Sequence, residues 1–169
     1  MSAHTAVRNQ ILSQSDVGRR LRRMAIEVAE NNTGEPELVV AGVNGNGMVV
    51  ARQLIAELRQ LLAISISVVE LHLDKLQPLE VSVTPHMDFS GKNILIVDDV
   101  ANSGRTLLYA VKPFLQYQPK KIQTLVLVER SHKVFPVTSD FVGLSLSTTL
   151  QEHISVETAG AEITGAWLH

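Results

Sequence analysis

Between Ser15 and Asn31 the apolar side chains Val17, Leu21, Met24, Ile26 and Val28 return at near-helical spacing, and Ser15 or Asp16 is available to cap the first turn. The spacing predicts a first helix. A breaker cluster, Asn31-Asn32-Thr33-Gly34-Glu35-Pro36, ends it. Glu37 to Val43 is short, β-branched and almost wholly apolar, which predicts a strand buried inside a parallel sheet. Past Asn44-Gly45-Asn46-Gly47 the helical period resumes from Met48 to Leu62, carried by Val49, Leu54, Ile55, Leu58 and Leu61. Ala63 to Leu73 alternates Ile64, Ile66 and Val68 with Ser65 and Ser67, a strand with one more polar face. Pro78 and Pro85 break the segment from Asp74 to Gly91, which is expected to be an exposed loop or arm with a short strand of its own. Ile94-Leu95-Ile96-Val97 predicts another buried strand, then a helix from about Thr106 to Tyr117, a strand from Gln123 to Val128 and a short one from Asp140 to Leu146. Strands alternating with helices predict an α/β fold, doubly wound, with a mainly parallel sheet flanked by helices. No internal repeat or linker interrupts it, so residues 1–169 are expected to form a single domain with a small loop or hood region.

Composition narrows the classes. With 45% hydrophobic and 19% charged residues the chain has the balance of an ordinary globular protein. It has no cysteine, which excludes disulfides, thiolate metal sites and cysteine nucleophiles and suits a reducing compartment. Met1 to Thr5 is polar, without the layout of a secretory signal, and no apolar run approaches the ~20 residues of a membrane helix. The expected location is cytoplasmic, with no membrane partner. A net charge of −2 speaks against a surface given over to nucleic acid. Arg19, Arg20, Arg22 and Arg23 do cluster within little more than one helical turn; a solvated helix face explains them at least as well as an RNA contact, and RNA is not the favoured partner. The histidines at 72, 86, 132 and 153 lack metal-ligand spacing, so no metal held by protein side chains is expected.

The chemistry concentrates where the strand ending at Val97 gives way to Asp98-Asp99-Val100-Ala101-Asn102-Ser103-Gly104-Arg105-Thr106. In open α/β sheets ligands gather outside the C-terminal ends of the strands. The first turn of a helix leaves backbone N–H groups unpaired and so suits a phosphate. Gly104 lets the backbone approach, and Ser103 and Thr106 add hydroxyl donors. Asp98 and Asp99, accepting through their carboxylates, match a vicinal diol such as the 2′ and 3′ hydroxyls of ribose. Phosphate and diol together describe a ribose 5-phosphate, as found in phosphoribosyl pyrophosphate or a nucleotide. The alternative is a solvated strand end followed by a plain turn.

Apolar strand, two acids, a short spacer and Ser-Gly-x-Thr resemble the phosphoribosyl pyrophosphate signature of the type I phosphoribosyltransferases. From about Ala6 to Glu157 the chain is similar, within that family, to the pyrimidine-operon attenuation regulators that also act as uracil phosphoribosyltransferases. Ile11-Leu12-Ser13, Val128 to Pro136 and Ser139 to Gly143 carry the further likeness. The resemblance implies transfer of the phosphoribosyl group to a nucleobase, with uracil preferred, and release of pyrophosphate. It implies catalytic roles for Asp98, Asp99 and Lys133, and a 5′-phosphate site at Ala101, Asn102, Ser103, Gly104, Arg105 and Thr106. It further implies a pyrophosphate loop at Val43, Asn44, Gly45 and Asn46, a mobile loop with Asp74 and Lys75, and a base site with Phe141 stacking and Val142 offering backbone groups. For Phe141, ordinary core packing is an equal alternative. Magnesium carried on the substrate's oxygens and a homodimer are also implied, and a nucleotide-sensing or RNA-binding regulator with little turnover is the second functional reading.

Some residues depart from the family's pattern. Glu129 stands where purine-salvage relatives carry a lysine that reads a 6-oxo group, and Asn102 where they keep an aspartate; both favour a pyrimidine. Asn46 replaces a basic residue of the pyrophosphate loop, and Asp74-Lys75 a tyrosine-arginine pair, which predicts weaker stabilisation of the leaving diphosphate. Thr149 to His169 has no assignment from its sequence.

Overall fold

The computed structural model describes residues 7–169; the expectations placed on Met1 to Ala6 lie outside the described residues. Six strands form one sheet in the order β4-β3-β2-β5-β6-β7, where β2 is Glu37–Val43, β3 Ser65–His72, β4 Ser82–Thr84, β5 Asn93–Ala101, β6 Lys121–Arg130 and β7 Phe141–Leu146. All neighbours in it run parallel except β4, which pairs antiparallel with the outer edge of β3. The central strands β2 and β5 are buried almost throughout, as their apolar β-branched runs require.

Helix α1, Gln14–Asn31, and helix α2, Asn46–Leu61, cover one face. Ser13 caps α1, not Ser15 or Asp16: its hydroxyl accepts from the Asp16 amide at 3.1 Å while the Asp16 carboxylate accepts from the Ser13 amide at 2.9 Å, a reciprocal capping box. Val17, Leu21, Met24, Ala25 and Val28 are buried, whereas Ile26 faces outward. On α2, Leu54, Ile55 and Leu58 are buried, Val49 is half-buried against the core and Leu61 is exposed.

The opposite face carries α3, Arg105–Ala110, and a 3-10 turn, Lys112–Phe114. The single helix expected over Thr106 to Tyr117 therefore breaks. Pro113 has no N–H to donate to the preceding turn, and the chain tightens into i→i+3 bonds around it. Phe89 and Phe114 fill that side edge to face at 4.9 Å, with Tyr117 5.3 Å from Phe89.

A second sheet joins the two ends of the described chain. Its strands β1 (Asn9–Ser13), β9 (Glu162–Leu168) and β8 (Ile154–Ala159) lie in the order β1-β9-β8, all antiparallel. Leu12, Ile154, Val156, Ile163 and Ala166 pack from it into the same apolar cluster as α1 and α2. This is the hood, and it is built from the termini; the arm at Asp74 to Gly91 contributes the short strand β4 to the main sheet instead.

Candidate active site

From β2 the chain crosses through α2 to β3 on one side, and from β5 through α3 to β6 on the other. The mouths of β2 and β5 therefore flank the switch point of the sheet, where an α/β fold leaves a crevice. Two loops meet there: Val43 to Asn46 after β2, and Ala101 to Thr106 after β5.

Asp98 and Asp99 lie near the C-terminal end of β5, both buried. Asp98 Oδ1 accepts from the Asp99 amide at 2.8 Å, and Asp99 Oδ1 from the Val100 amide at 2.9 Å. Lys75 Nζ lies 3.4 Å from Asp98 Oδ1 and 3.6 Å from Asp99 Oδ1. Burial pushes the Asp98 carboxyl up to about 8, helped by the charge of Asp99 and opposed by Lys75. Burial draws the Lys75 ammonium down, but the two aspartates outweigh it and raise it overall.

A stability prediction follows from Asp98. Its proton is held more tightly in the folded chain than in the unfolded one, so the group costs nothing at low pH and destabilises progressively as pH rises from its ordinary 3.8 through about 8. Asp98→Asn is expected to raise the Tm near pH 8, by on the order of 2 kcal/mol in stability, and to change it little near pH 4. Thermal melts of both proteins across that range check this; equal shifts at the two ends would contradict it.

The turn after β5 is braced from below. Gly104 sits at φ +84°, a left-handed conformation that disfavours any side chain, and a Cβ there would come within 3.2 Å of Lys133 Cδ. The Ser103 carbonyl accepts from the amides of Val134 and Phe135, each at 3.0 Å. The Ser103 and Gly104 amides make no hydrogen bond among the described residues, and the Arg105 guanidinium lies 5.4 Å over the Phe135 ring. Lys75 and residues 100–107 line a small cleft. Because α3 has only six residues, an anion here would rely on the turn's own N–H and hydroxyl groups more than on a helix dipole.

Lys133 is not an open point charge at this mouth. Its ammonium lies 2.8 Å from Glu129 Oε1, both side chains are nearly buried, and Glu129 also accepts from the Ser139 amide at 3.1 Å. The pair props the turn from beneath.

Asn46 is a strut. Its Nδ2 donates to Asp99 Oδ2 at 3.2 Å and to the Val156 carbonyl at 2.9 Å, while its Oδ1 accepts from the Thr158 hydroxyl at 3.2 Å. It thus joins the second carboxylate to hood strand β8. Beside it, Gly45 has φ +83° and the N-terminus of α2 has no side-chain cap. The Asn44 side chain lies against the Leu71 and Leu73 backbone. Asp74 folds back on the Leu76 amide at 2.9 Å, leaving Lys75 alone to reach the carboxylates from its loop.

Phe141 is buried within the cluster under α1, in register with Leu125 one step below the carboxylates. Its side chain is buried and packs in that core. The Val142 carbonyl accepts from Arg23 at 2.9 Å, and the Gly143 carbonyl from Arg20 and Arg23 at 3.0 and 2.9 Å. Two of the four clustered arginines therefore fasten α1 to β7, and Arg19 pairs with Asp16. Val156 and Thr158 are the mouth residues the sequence reading missed; alternation of Ile154, Val156 and Thr158 with Ser155 and Glu157, before a turn at Gly160, is the signal that marks them.

The family model described as the phosphoribosyl transferase domain matches residues 7–159. The chain belongs to the phosphoribosyltransferase family. As a member of that glycosyltransferase group it is 31% identical over 158 residues to the bifunctional protein PyrR of Actinobacillus pleuropneumoniae, covering 88% of each chain. It is 33% identical over 156 residues to the PyrR of a Synechocystis species, covering 87% of this chain and 88% of that one. The fold of this type I phosphoribosyltransferase is shared with the hypoxanthine phosphoribosyltransferase of Trypanosoma cruzi, at a TM-score of 0.73 and 16% identity over 82% of each chain. A hypoxanthine-guanine phosphoribosyltransferase from Bacillus anthracis matches with a TM-score of 0.70 and 20% identity, again over 82% of each chain. Among the described residues no helix is long and apolar enough to cross a membrane.

Proposed function

We propose that this enzyme transfers the phosphoribosyl group of phosphoribosyl pyrophosphate to uracil and releases pyrophosphate. The observation that carries the proposal is the juxtaposition at one mouth of two buried carboxylates and a braced turn with unspent amides. The 5′-phosphate would sit on residues 101–106, held by the amides of Ser103 and Gly104 and by the hydroxyls of Ser103 and Thr106. The ribose diol would donate to Asp98 and Asp99. The diphosphate would then lie between the Val43–Asn46 loop at the α2 N-terminus and the loop carrying Lys75.

The chain's residues would act by position and charge. Fixing the sugar at its phosphate and its diol aims C1 at the base, and a cationic sugar carbon is tolerated beside Asp98 and Asp99 as the bond to pyrophosphate lengthens. Magnesium would enter this mouth on the substrate's oxygens, and Asp98 and Asp99 are the acidic side chains at the end of β5 that would lie beside it. Its chemistry would be to neutralise the departing diphosphate.

Uracil is preferred because position 129 offers no lysine to a 6-oxo group, its carboxylate being spent on Lys133 and Ser139, and because Asn102 is no acid or base. The PyrR relatives support the same choice. The second reading, a nucleotide-responsive regulator with slow turnover, draws on Asn46: its polar groups are committed to Asp99 and the hood, so the pyrophosphate loop carries no cation. Pyrophosphate release from phosphoribosyl pyrophosphate and magnesium should be measured with uracil, hypoxanthine, guanine and orotate in parallel. Turnover strongest with uracil is expected. Binding of phosphoribosyl pyrophosphate without turnover on any base would favour the second reading, and neither binding nor turnover would refute both.

A further inference from the structure

Lys75 is the basic side chain that ion-pairs with Asp98 and Asp99 among the described residues. It does not belong to the sheet. It projects from the stretch between β3 and β4, where residues 73–81 form no regular element, and its side chain is half exposed while the two carboxylates it meets are buried. Its Nζ stands 3.4 and 3.5 Å from the two oxygens of Asp98, on the side of the cleft formed with residues 100–107. An ammonium at that distance takes up part of the carboxylates' acceptor capacity and stands on the cleft side from which a diol would approach. Two adjacent buried acids are costly to ionise even with the Asp99 and Val100 amides and Asn46 donating to them, so a cation that relieves their charge before a sugar arrives competes with it.

We propose that Lys75 is a place-holding cation: it occupies the diol's station on Asp98 and Asp99 in the free enzyme and must vacate it when a ribose 5-phosphate binds, becoming free to meet a diphosphate. The inference rests on the reading above that these carboxylates receive the ribose diol. A lysine that only gripped the diphosphate would affect ligands bearing one and no others. A place-holder has opposite effects on two ligands, because its removal unmasks the carboxylates.

The test is calorimetric titration of inorganic phosphate, ribose 5-phosphate and magnesium phosphoribosyl pyrophosphate into the wild-type chain, Lys75→Gln and Lys75→Arg. Phosphate alone measures the general loss of positive charge. The expected result in Lys75→Gln is that ribose 5-phosphate gains on phosphate, the ratio of their affinities rising about fivefold, the size a half-exposed ion pair commands. Phosphoribosyl pyrophosphate should weaken in the same variant, and Lys75→Arg should restore the wild-type ratio. An unchanged or lowered ratio in Lys75→Gln overturns the place-holder. If the wild-type ratio is itself insensitive to Asp99→Asn, the carboxylates do not receive the diol, and the functional reading falls together with this one.

Discussion

Asp99→Asn is expected to lower kcat/KM for phosphoribosyl transfer by about a hundredfold or more while leaving the fold intact. Asp99 is nearly buried at the mouth of β5, and its two oxygens are differently engaged. Oδ1 accepts from the Val100 amide and Oδ2 from Asn46 Nδ2. In the asparagine variant one position turns from acceptor to donor. If the new amide faces Asn46, two donors oppose each other; if it faces Val100, the same conflict arises with the backbone. Either way the strut from Asn46 to the hood loosens, and the diol loses a charge-assisted acceptor worth roughly 1.5–3 kcal/mol. Together these reach the expected hundredfold, at about 1.4 kcal/mol for each tenfold. Folding should survive, because removing this charge relieves its repulsion of Asp98. Steady-state kinetics beside thermal melts check both halves. Unchanged kcat/KM would remove Asp99 from the mechanism, and an unfolded variant would make it structural.

Gly143→Ala is expected to cost about 3 kcal/mol or more, a fall in Tm of roughly 10 °C. A Cβ on Gly143 would clash with the Leu127 carbonyl oxygen and stand 3.2 Å from its carbon, and both are backbone atoms of β6 that no rotamer change can move. The Gly143 carbonyl also receives Arg20 and Arg23, so displacing β7 would unfasten α1. Denaturant melts of the variant measure the loss; a change below about 1 kcal/mol would show that β7 yields more easily than its packing implies.

The main sheet was legible because its strands announce themselves locally. Glu37 to Val43 and Ile94 to Val97 are apolar, β-branched and bounded by turn residues, and each is a central strand. The Asp98-to-Thr106 segment was legible for the same reason, being one uninterrupted piece of chain. The hood was not. Its β1 strand pairs with β9 from the opposite end of the described chain, Asn9 with Leu168, and no local pattern in Asn9–Ser13 announces that partner.

Side-chain roles were less readable than backbone. Lys133 reads as a charge near a phosphate, but the partner four residues earlier, Glu129, takes its ammonium once β6 ends and the chain turns back. Asn46 reads as a missing cation, yet its amide supplies three hydrogen bonds that only the folded hood makes available. Phe141 reads equally as a base contact or a core residue, and the fold buries it in the apolar cluster beside Leu125. The expected helix to Tyr117 stopped early at a proline visible from the start, where the apolar period outweighed the missing donor in the reading and lost to it in the fold.

The central claim is that the mouth of β5 holds a sugar phosphate through its turn and its paired acids. Calorimetric titration of magnesium phosphoribosyl pyrophosphate into the wild-type chain and Asp99→Asn tests it most directly. Saturable binding at one site per wild-type chain, weakened about tenfold or more in the variant, is the predicted result. Equal affinity in both proteins, or no binding to the wild type, would contradict it.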